Sequence, residues 1–293
     1  MTIRIRNSSI TKFMRCRRTW MLSYVRNLET NWDLRMTPQK FDTGTSVHCG
    51  LEALYLGESP EAAVRAHWAE LQEVLSPEAD HAKWIEEVVT LPLIIIEGYQ
   101  EWREEEGADV GDTVLGLEVK LDAVVGTWKG EDVELYGTID RLIRNSDGHL
   151  IVDDFKTVVT IDTVPTLATN WQINNYGLLV RANYDEMPLQ GRHTQLKRVK
   201  RTARAKKPFY NQIHTTFNEA KMHNHWVHLN AAVMDMLSVM ERLDDGANHG
   251  LAYPNPTRDC SWDCSFKDVC PMMDNGGDWQ FMLEDGFRQR EEV

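Results

Sequence analysis

Apolar positions recur with two different periods along this chain, and the change of period divides it. In "SSITKFMRCRRTWMLSYV", Ile10, Phe13, Met14, Met21, Tyr24 and Val25 fall at helical spacing behind Ser8 and Ser9, which predicts one helix carrying Cys16. A second helix is expected from about Gly44 in "GTSVHCGLEALYLG". Residues 57–107 read as a helical insertion of two helices, each opening on Ser-Pro-Glu, at Ser59 and at Ser76. That triplet supplies a cap, a first-turn proline and an acid at the positive end of the helix dipole.

The period then becomes two. In "TVLGLEVKLDAVV", Leu115, Leu117, Val119 and Leu121 share one face, and Glu118 and Lys120 the other. "ELYGTIDRLIRN" and "HLIVDDFKTVV" follow, joined by Ser146-Asp147-Gly148, a three-residue loop whose glycine suits a left-handed residue after a type I turn. Counting outward from Asn145 opposite His149 puts Asp140 opposite Asp154. Facing residues in such a pair have Cβ atoms about 4.5–5.5 Å apart. Two carboxylates that close repel unless a cation lies between them. Alternation also puts Asp154 and Lys156 on one face and Asp153 and Phe155 on the other. Beyond the hairpin, "TLATNWQINNYGLLVRANY" reads as a helix with Gln172 and Tyr176 four apart on one face. A strand is expected near Leu196 to Val199, and a long helix over about Asn218 to Leu243. The apolar stripe of that helix makes His223, His225 and His228 packing residues rather than ligands.

Charge changes the picture locally. The formal net charge of −13 excludes a passive, sequence-blind nucleic-acid coat, which draws its affinity from counterion release at many phosphates. Yet "RHTQLKRVKRTARAKK", Arg192 to Lys207, holds eight Lys or Arg and no acid, with Phe209 and Tyr210 directly after. It reads as a solvated loop or as a phosphate track with aromatic platforms for bases. The start "MTIRIRNSSI" has no apolar core of a signal peptide. The longest apolar stretch, Val88 to Ile96, contains Pro92 and falls far short of the roughly 20 residues of a spanning helix. A cytoplasmic protein with no membrane partner is expected. In a reducing compartment the crowded "CSWDCSFKDVC" calls for something other than disulfides.

In sequence order, these pieces resemble the RecB-like nucleases of the PD-(D/E)XK superfamily, in the iron–sulfur branch that includes CRISPR-associated and AddB-type exonucleases. The resemblance rests on a helix with Cys16, a helix with His48, Asp140 in "YGTID", Asp154 and Lys156 in "DDFK", Gln172 and Tyr176 as Q-x-x-x-Y, and the three late cysteines. It implies one α/β nuclease domain over the whole chain, a restriction-endonuclease-like mixed β-sheet flanked by helices. The catalytic sheet would lie within 111–200, and a cysteine region over 250–293 would close onto Cys16. It implies that His48, Asp140 and Asp154 bind one or two Mg²⁺ or Mn²⁺ ions, with the Phe155 carbonyl a possible further ligand. Lys156 would orient or deprotonate the attacking water, and Gln172 and Tyr176 would hold the DNA strand. Asp154 stands where many relatives have glutamate and reaches about one methylene less. Glu118 is either a further site acid or solvated. Cys16, Cys260, Cys264 and Cys270 would ligate a [4Fe–4S] cluster, with Zn²⁺ in a four-cysteine site as the alternative, and Cys49 is left as a small packing residue.

The implied activity is metal-dependent exonucleolytic hydrolysis of DNA ends or single strands in recombination, repair or replication, and a chain of this size fits a bacteriophage or a small bacterial operon. The competing reading is a non-catalytic DNA-end-binding or assembly subunit with the same fold and cluster. No G-x-x-x-x-G-K-[ST] loop occurs, so unwinding is expected from a helicase or another recombination or replication protein.

Overall fold

A computed structural model describes residues 2–31 and 35–290. The chain divides into two compact units: Met36–Ala123 with Tyr136–His225, and Met1–Arg35 with Val124–Leu135 and Trp226–Val293. In chain order the elements are β1 (Ile3–Arg6), α1 (Asn7–Arg15), α2 (Arg17–Trp20), β2 (Leu28–Thr30), α3 (Lys40–Leu56), α4 (Pro60–Val74), α5 (His81–Ile85) and α6 (Leu91–Glu106). The hairpin strands β3 (Thr113–Trp128), β4 (Glu131–Arg144) and β5 (Leu150–Val158) come next, then α7 (Val164–Ala168), α8 (Trp171–Tyr184), β6 (Gln190–Lys197) and β7 (Tyr210–Thr216). The chain ends with α9 (Glu219–Asp244), α10 (Val269–Asn275), α11 (Trp279–Gly286) and β8 (Phe287–Gln289).

The larger unit is an α/β structure around a mixed sheet. β4, β5, β6 and β7 are neighbours in that order, and β3 also pairs with β4. β4 and β5 are antiparallel, β5 and β6 parallel, β6 and β7 antiparallel. Parallel pairing needs a crossover, and α7 and α8 supply it, α8 packing on β5 and β6. Gly191 permits that approach, because a Cβ there would lie 2.5 Å from Ile173 Cγ1. α3 packs on β5 and on the helices of the insertion, α4 and α6. The hairpin register is the one counted from the loop. Gly148 has φ +85°, Asn145 N–H donates to the His149 carbonyl, and Arg141 pairs with Asp153.

Four expectations fail for identifiable reasons. The first helix breaks at Cys16, whose backbone is extended (φ −162°, ψ 113°) between α1 and α2. At Ser76 the Ser-Pro-Glu triplet makes a turn. Ser76 Oγ donates to Glu78 and accepts the Glu78 N–H, a local bond that competes with the helix. Helix α5 starts only after Asp80, which accepts from Lys83 N. α3 begins at Lys40 rather than Gly44, because Gln39 and Asp42 form a reciprocal cap. In β3 the strict alternation fails at Glu118, where φ is +46°, and Leu115 is exposed. A left-handed residue inside a strand resets which side chains face inward.

In the smaller unit, β2 pairs antiparallel with β8. No helix among the described residues is long and apolar enough to cross a membrane.

Candidate active site

His48 comes from α3, whose Gly44, Thr45, His48 and Glu52 recur at helical spacing along one side of an open cleft of about 540 Å³. Glu118 of β3, Asp140 of β4 and Phe155, Lys156 and Thr157 of β5 line the rest of it. The ligating atoms of His48, Glu118 and Asp140 all lie within 4.8 Å of one another. His48 Nδ1 is 3.6 Å from Asp140 Oδ2, and the same oxygen accepts the Phe155 N–H at 2.7 Å. Donors at about 2.1 Å from an ion are separated by roughly 3 to 4 Å, so a small divalent cation fits this trio with little adjustment.

Asp154 is held differently. It is fully buried, and Lys156 Nζ straddles it, 2.9 Å from Oδ1 and 2.7 Å from Oδ2. His193 Nε2 stands 3.4 Å from Asp154 Oδ2. His193 is itself buried, with neither ring nitrogen hydrogen-bonded. Of the expected metal trio, the structure therefore brings His48 and Asp140 together with Glu118, while Asp154 sits beside them tied to Lys156.

The electrostatics fit a cation. Burial, reinforced by Asp154, pushes the Asp140 carboxyl well above the usual range. Burial, then Glu52 and Asp154, raises Glu118. Burial also lowers His48, and Lys156 adds to this, leaving a neutral imidazole with a free pair to donate. For Lys156, burial is outweighed by Asp154 and Asp140, so the ammonium is retained above its ordinary value. The cleft thus concentrates acids that repel one another, with the Lys156 ammonium among them.

Gln172 Nε2 donates to the Tyr176 hydroxyl at 2.8 Å, as their spacing predicts. Tyr176 is buried, and burial together with Asp154 lifts its phenol to about 12.

Behind the cleft, on the opposite face of β5, Asp153 explains the other acid of "DDFK". It is fully buried and accepts from Arg141 Nε at 3.0 Å, Arg192 Nη2 at 3.0 Å and Thr194 Oγ1 at 2.8 Å. Arg141 Nη1 also donates to Asp109 Oδ2 at 2.8 Å, and Arg192 reaches Asp109 and Asp112 at 3.0 and 3.2 Å. Arg192 is therefore part of a buried ion cluster and not of the basic loop that the sequence assigned it to. Tyr210 offers no platform for a base either. It is buried between Tyr99 and Trp102 and donates its hydroxyl to the Ile95 carbonyl at 3.0 Å.

In the smaller unit, Cys16, Cys260 and Cys264 line one small cavity. N–H groups point at the sulfurs: Asn255 N to Cys16 at 3.5 Å, Thr257 N to Cys260 at 3.3 Å, and Arg18 Nη1 to Cys270 at 3.4 Å. Burial pushes the Cys16 thiol up, but bonds from Thr19, Asn255 and Arg18 outweigh it and favour the thiolate. At Cys16 this environment suits thiolate ligation, whereas burial raises the Cys270 thiol, and Cys270 is not among the residues lining the cavity. Cys49 lines the same cleft as His48, and burial and Glu52 raise its thiol.

The family model of the PD-(D/E)XK nuclease superfamily matches residues 7–271. The chain belongs to this superfamily. No curated protein matches this PD-(D/E)XK chain in sequence. Among solved structures, SSO0001 is similar at 16% identity and TM-score 0.36, covering 91% of this chain and 95% of that one. A candidate exonuclease from Eubacterium rectale is similar at 12% identity and TM-score 0.47, covering 91% and 86%. LHK-Exo in complex with dAMP is similar at 12% identity and TM-score 0.32, covering 68% and 91%. These likenesses are too distant to carry an argument, and the PD-(D/E)XK assignment rests on the family model. Members of this superfamily use divalent metals, to which the His48, Glu118 and Asp140 trio is suited.

His193 is the site residue that sequence reading missed. Its only signal was position. In the parallel register His193 lies beside Asp154, a relation visible only once β5 and β6 are paired.

Proposed function

We propose that this protein is a Mg²⁺- or Mn²⁺-dependent DNA exonuclease that hydrolyses phosphodiester bonds at ends or in single strands. The observation that carries the reading is the convergence of His48, Glu118 and Asp140 in an open cleft beside the Asp154–Lys156 pair. A divalent cation bound there supplies a nucleophile at neutral pH and neutralises charge on the scissile phosphate. His48, with its neutral imidazole, and the two carboxylates would hold it. Asp140 is oriented for this by the Phe155 N–H, and His48 by its place on a capped helix. Lys156 remains an ammonium and donates toward the phosphate oxygens, aimed by Asp154. Asp154 in turn is confined between Lys156 and His193. Gln172 and Tyr176 would hold the DNA strand next to this pair, the Tyr176 hydroxyl accepting from Gln172 Nε2 and keeping its own hydrogen to donate.

The same proposal assigns a [4Fe–4S] cluster to Cys16, Cys260, Cys264 and Cys270, in a structural role. The N–H groups directed at the Cys16, Cys260 and Cys270 sulfurs support it, as does the spacing of three and then five intervening residues, unlike paired CxxC zinc ribbons. Anaerobically purified protein should be brown and contain iron and acid-labile sulfide. Colourless protein with stoichiometric zinc would replace the cluster with a zinc site.

The activity test is incubation of end-labelled single-stranded DNA with Mn²⁺, with and without EDTA, on 5′- and 3′-blocked substrates. Chelator-sensitive loss of nucleotides from one end is expected. Binding without any cleavage overturns the proposal.

A further inference from the structure

The basic loop does not float in solvent. It leaves β6 at Lys197, beside Val158 of β5 in the parallel register, and Arg198 N–H donates to the Val158 carbonyl at 2.8 Å. At about 3.3 Å per residue along a strand, the loop begins roughly 10 Å from Lys156, within a nucleotide or two of the cleft. Three of its cations are then neutralised by acids of the helical insertion. Lys200 Nζ lies 2.5 Å from Glu86, Arg201 Nη1 2.6 Å from Glu101, and Arg198 Nη1 3.8 Å from Glu87. Glu87 also accepts from Thr43 Oγ1 at 3.1 Å, next to the cleft residues Gly44 and Thr45. A seat exists for Arg201 on α6, because Gly98 has no side chain: a Cβ there would fall 2.4 Å from Arg201 Nε. Arg204, Lys206 and Lys207 further along are exposed and have no ion-pair partner among the described residues.

Partly exposed ion pairs of this kind contribute only about 0–1 kcal/mol each, so a phosphate is able to displace them. A strand leaving the cleft past Thr157 would meet Arg198, Lys200 and Arg201 in turn, all at present occupied by carboxylates. We propose that residues 197–207 form the track for the phosphodiester backbone of the substrate strand, and that Glu86, Glu87 and Glu101 occupy this track as internal phosphate mimics until nucleic acid displaces them. The inference deepens the nuclease reading and rests on it. It also places a cationic track within a chain of net charge −13, three of the loop's cations being paired within the fold when no strand is bound.

The test measures binding of fluorescein-labelled oligothymidylate to the full-length protein in EDTA by anisotropy, over a range of salt concentrations. E86Q/E101Q should bind roughly three- to tenfold more tightly than wild type, as two weak competitors are removed. K200Q/R201Q should bind more weakly, with a salt slope smaller by about 0.7 per lost phosphate contact. Bound DNA should also protect the 204–207 segment from trypsin. Unchanged affinity in both variants, or binding that polyglutamate competes away as effectively as DNA does, overturns the proposal. The second result would assign the loop to an acidic protein partner. Digestion assays with Mn²⁺ separate the two readings. Wild type and K200Q/R201Q cleaving alike would remove the track and leave the nuclease, whereas wild type that binds through the loop but never cleaves would remove the nuclease and leave the track.

Discussion

Replacing Arg141 by methionine tests the ion cluster behind β5, the strand of Asp154 and Lys156. Arg141 is fully buried and bonded to Asp153 and Asp109, and its guanidinium carbon lies 4.2 Å over the Tyr55 ring. At an effective dielectric of about 20, a pair of unit charges about 4 Å apart is worth roughly 4 kcal/mol. Arg141 gains two such attractions and pays one repulsion of similar size, from Arg192, which shares the Asp153 oxygen. The net electrostatic loss on substitution is therefore about 4 kcal/mol. Relief from burying the guanidinium lessens it, and the loss of stacking on Tyr55 adds about 1 kcal/mol. The result agrees with the roughly 3–5 kcal/mol usual when one partner of a buried pair is removed. Against a typical total of about 5–15 kcal/mol, that is a large fraction. Urea unfolding followed by tryptophan fluorescence measures it, and R141M/D109N should recover part of the loss by removing one stranded carboxylate. The effect also has a pH signature. Although burial pushes both acids up, Arg141 and Arg192 hold Asp109 and Asp153 below the ordinary carboxylate value. Their contribution is complete above about pH 4 and is lost as pH falls below it, so the gap between wild type and R141M should narrow there. A cost under about 1 kcal/mol at pH 7, or a gap that widens in acid, refutes this account.

Other substitutions address the cleft itself. Asp140→Asn and Lys156→Ala should each abolish digestion while the far-ultraviolet circular dichroism stays native; full activity in both would remove these residues from the mechanism. Glu118→Gly should weaken Mn²⁺ binding, measured by calorimetry, yet not destabilise the metal-free fold, because a left-handed backbone costs a non-glycine residue about 1–2 kcal/mol; unaltered Mn²⁺ affinity would take Glu118 out of the metal trio. His193→Ala should slow turnover more than it weakens DNA binding by loosening Asp154, with His193→Gln closer to wild type; equal loss in both binding and turnover would make it a general packing residue. Cys264→Ser should lower the iron content and the melting temperature together, and a variant that retains all its iron would exclude Cys264 as a ligand.

The hairpin was legible from sequence because its register depends on a local object, the Ser146-Asp147-Gly148 loop, whose length and glycine determine which residues face each other. Gln172 and Tyr176 were legible for a similar reason, since helical spacing alone brings them into contact. What escaped depends on pairings between distant segments. His193 acquires meaning only beside Asp154, and Arg192 looks like part of a basic run until Asp109, Asp112 and Asp153 surround it. Glu118 was left undecided because alternation assigned it to a polar face, whereas its positive φ, invisible in a hydrophobic pattern, changes where the carboxylate points. Tyr210 followed a cationic stretch and so suggested base stacking, but the aromatic neighbours that bury it come from α6, more than a hundred residues earlier.

The parallel partnership of β5 and β6 has a consequence during synthesis. The acids of the cleft are all translated by Asp154, yet the strand that flanks Asp154 on its second side begins only at Gln190. A ribosome-bound chain arrested between those points carries every carboxylate of the centre without the neighbour that confines one of them. Such non-local pairing is slow to form. On the proposed reading, the neighbour that confines Asp154 would therefore be in place only after most of the polypeptide is made.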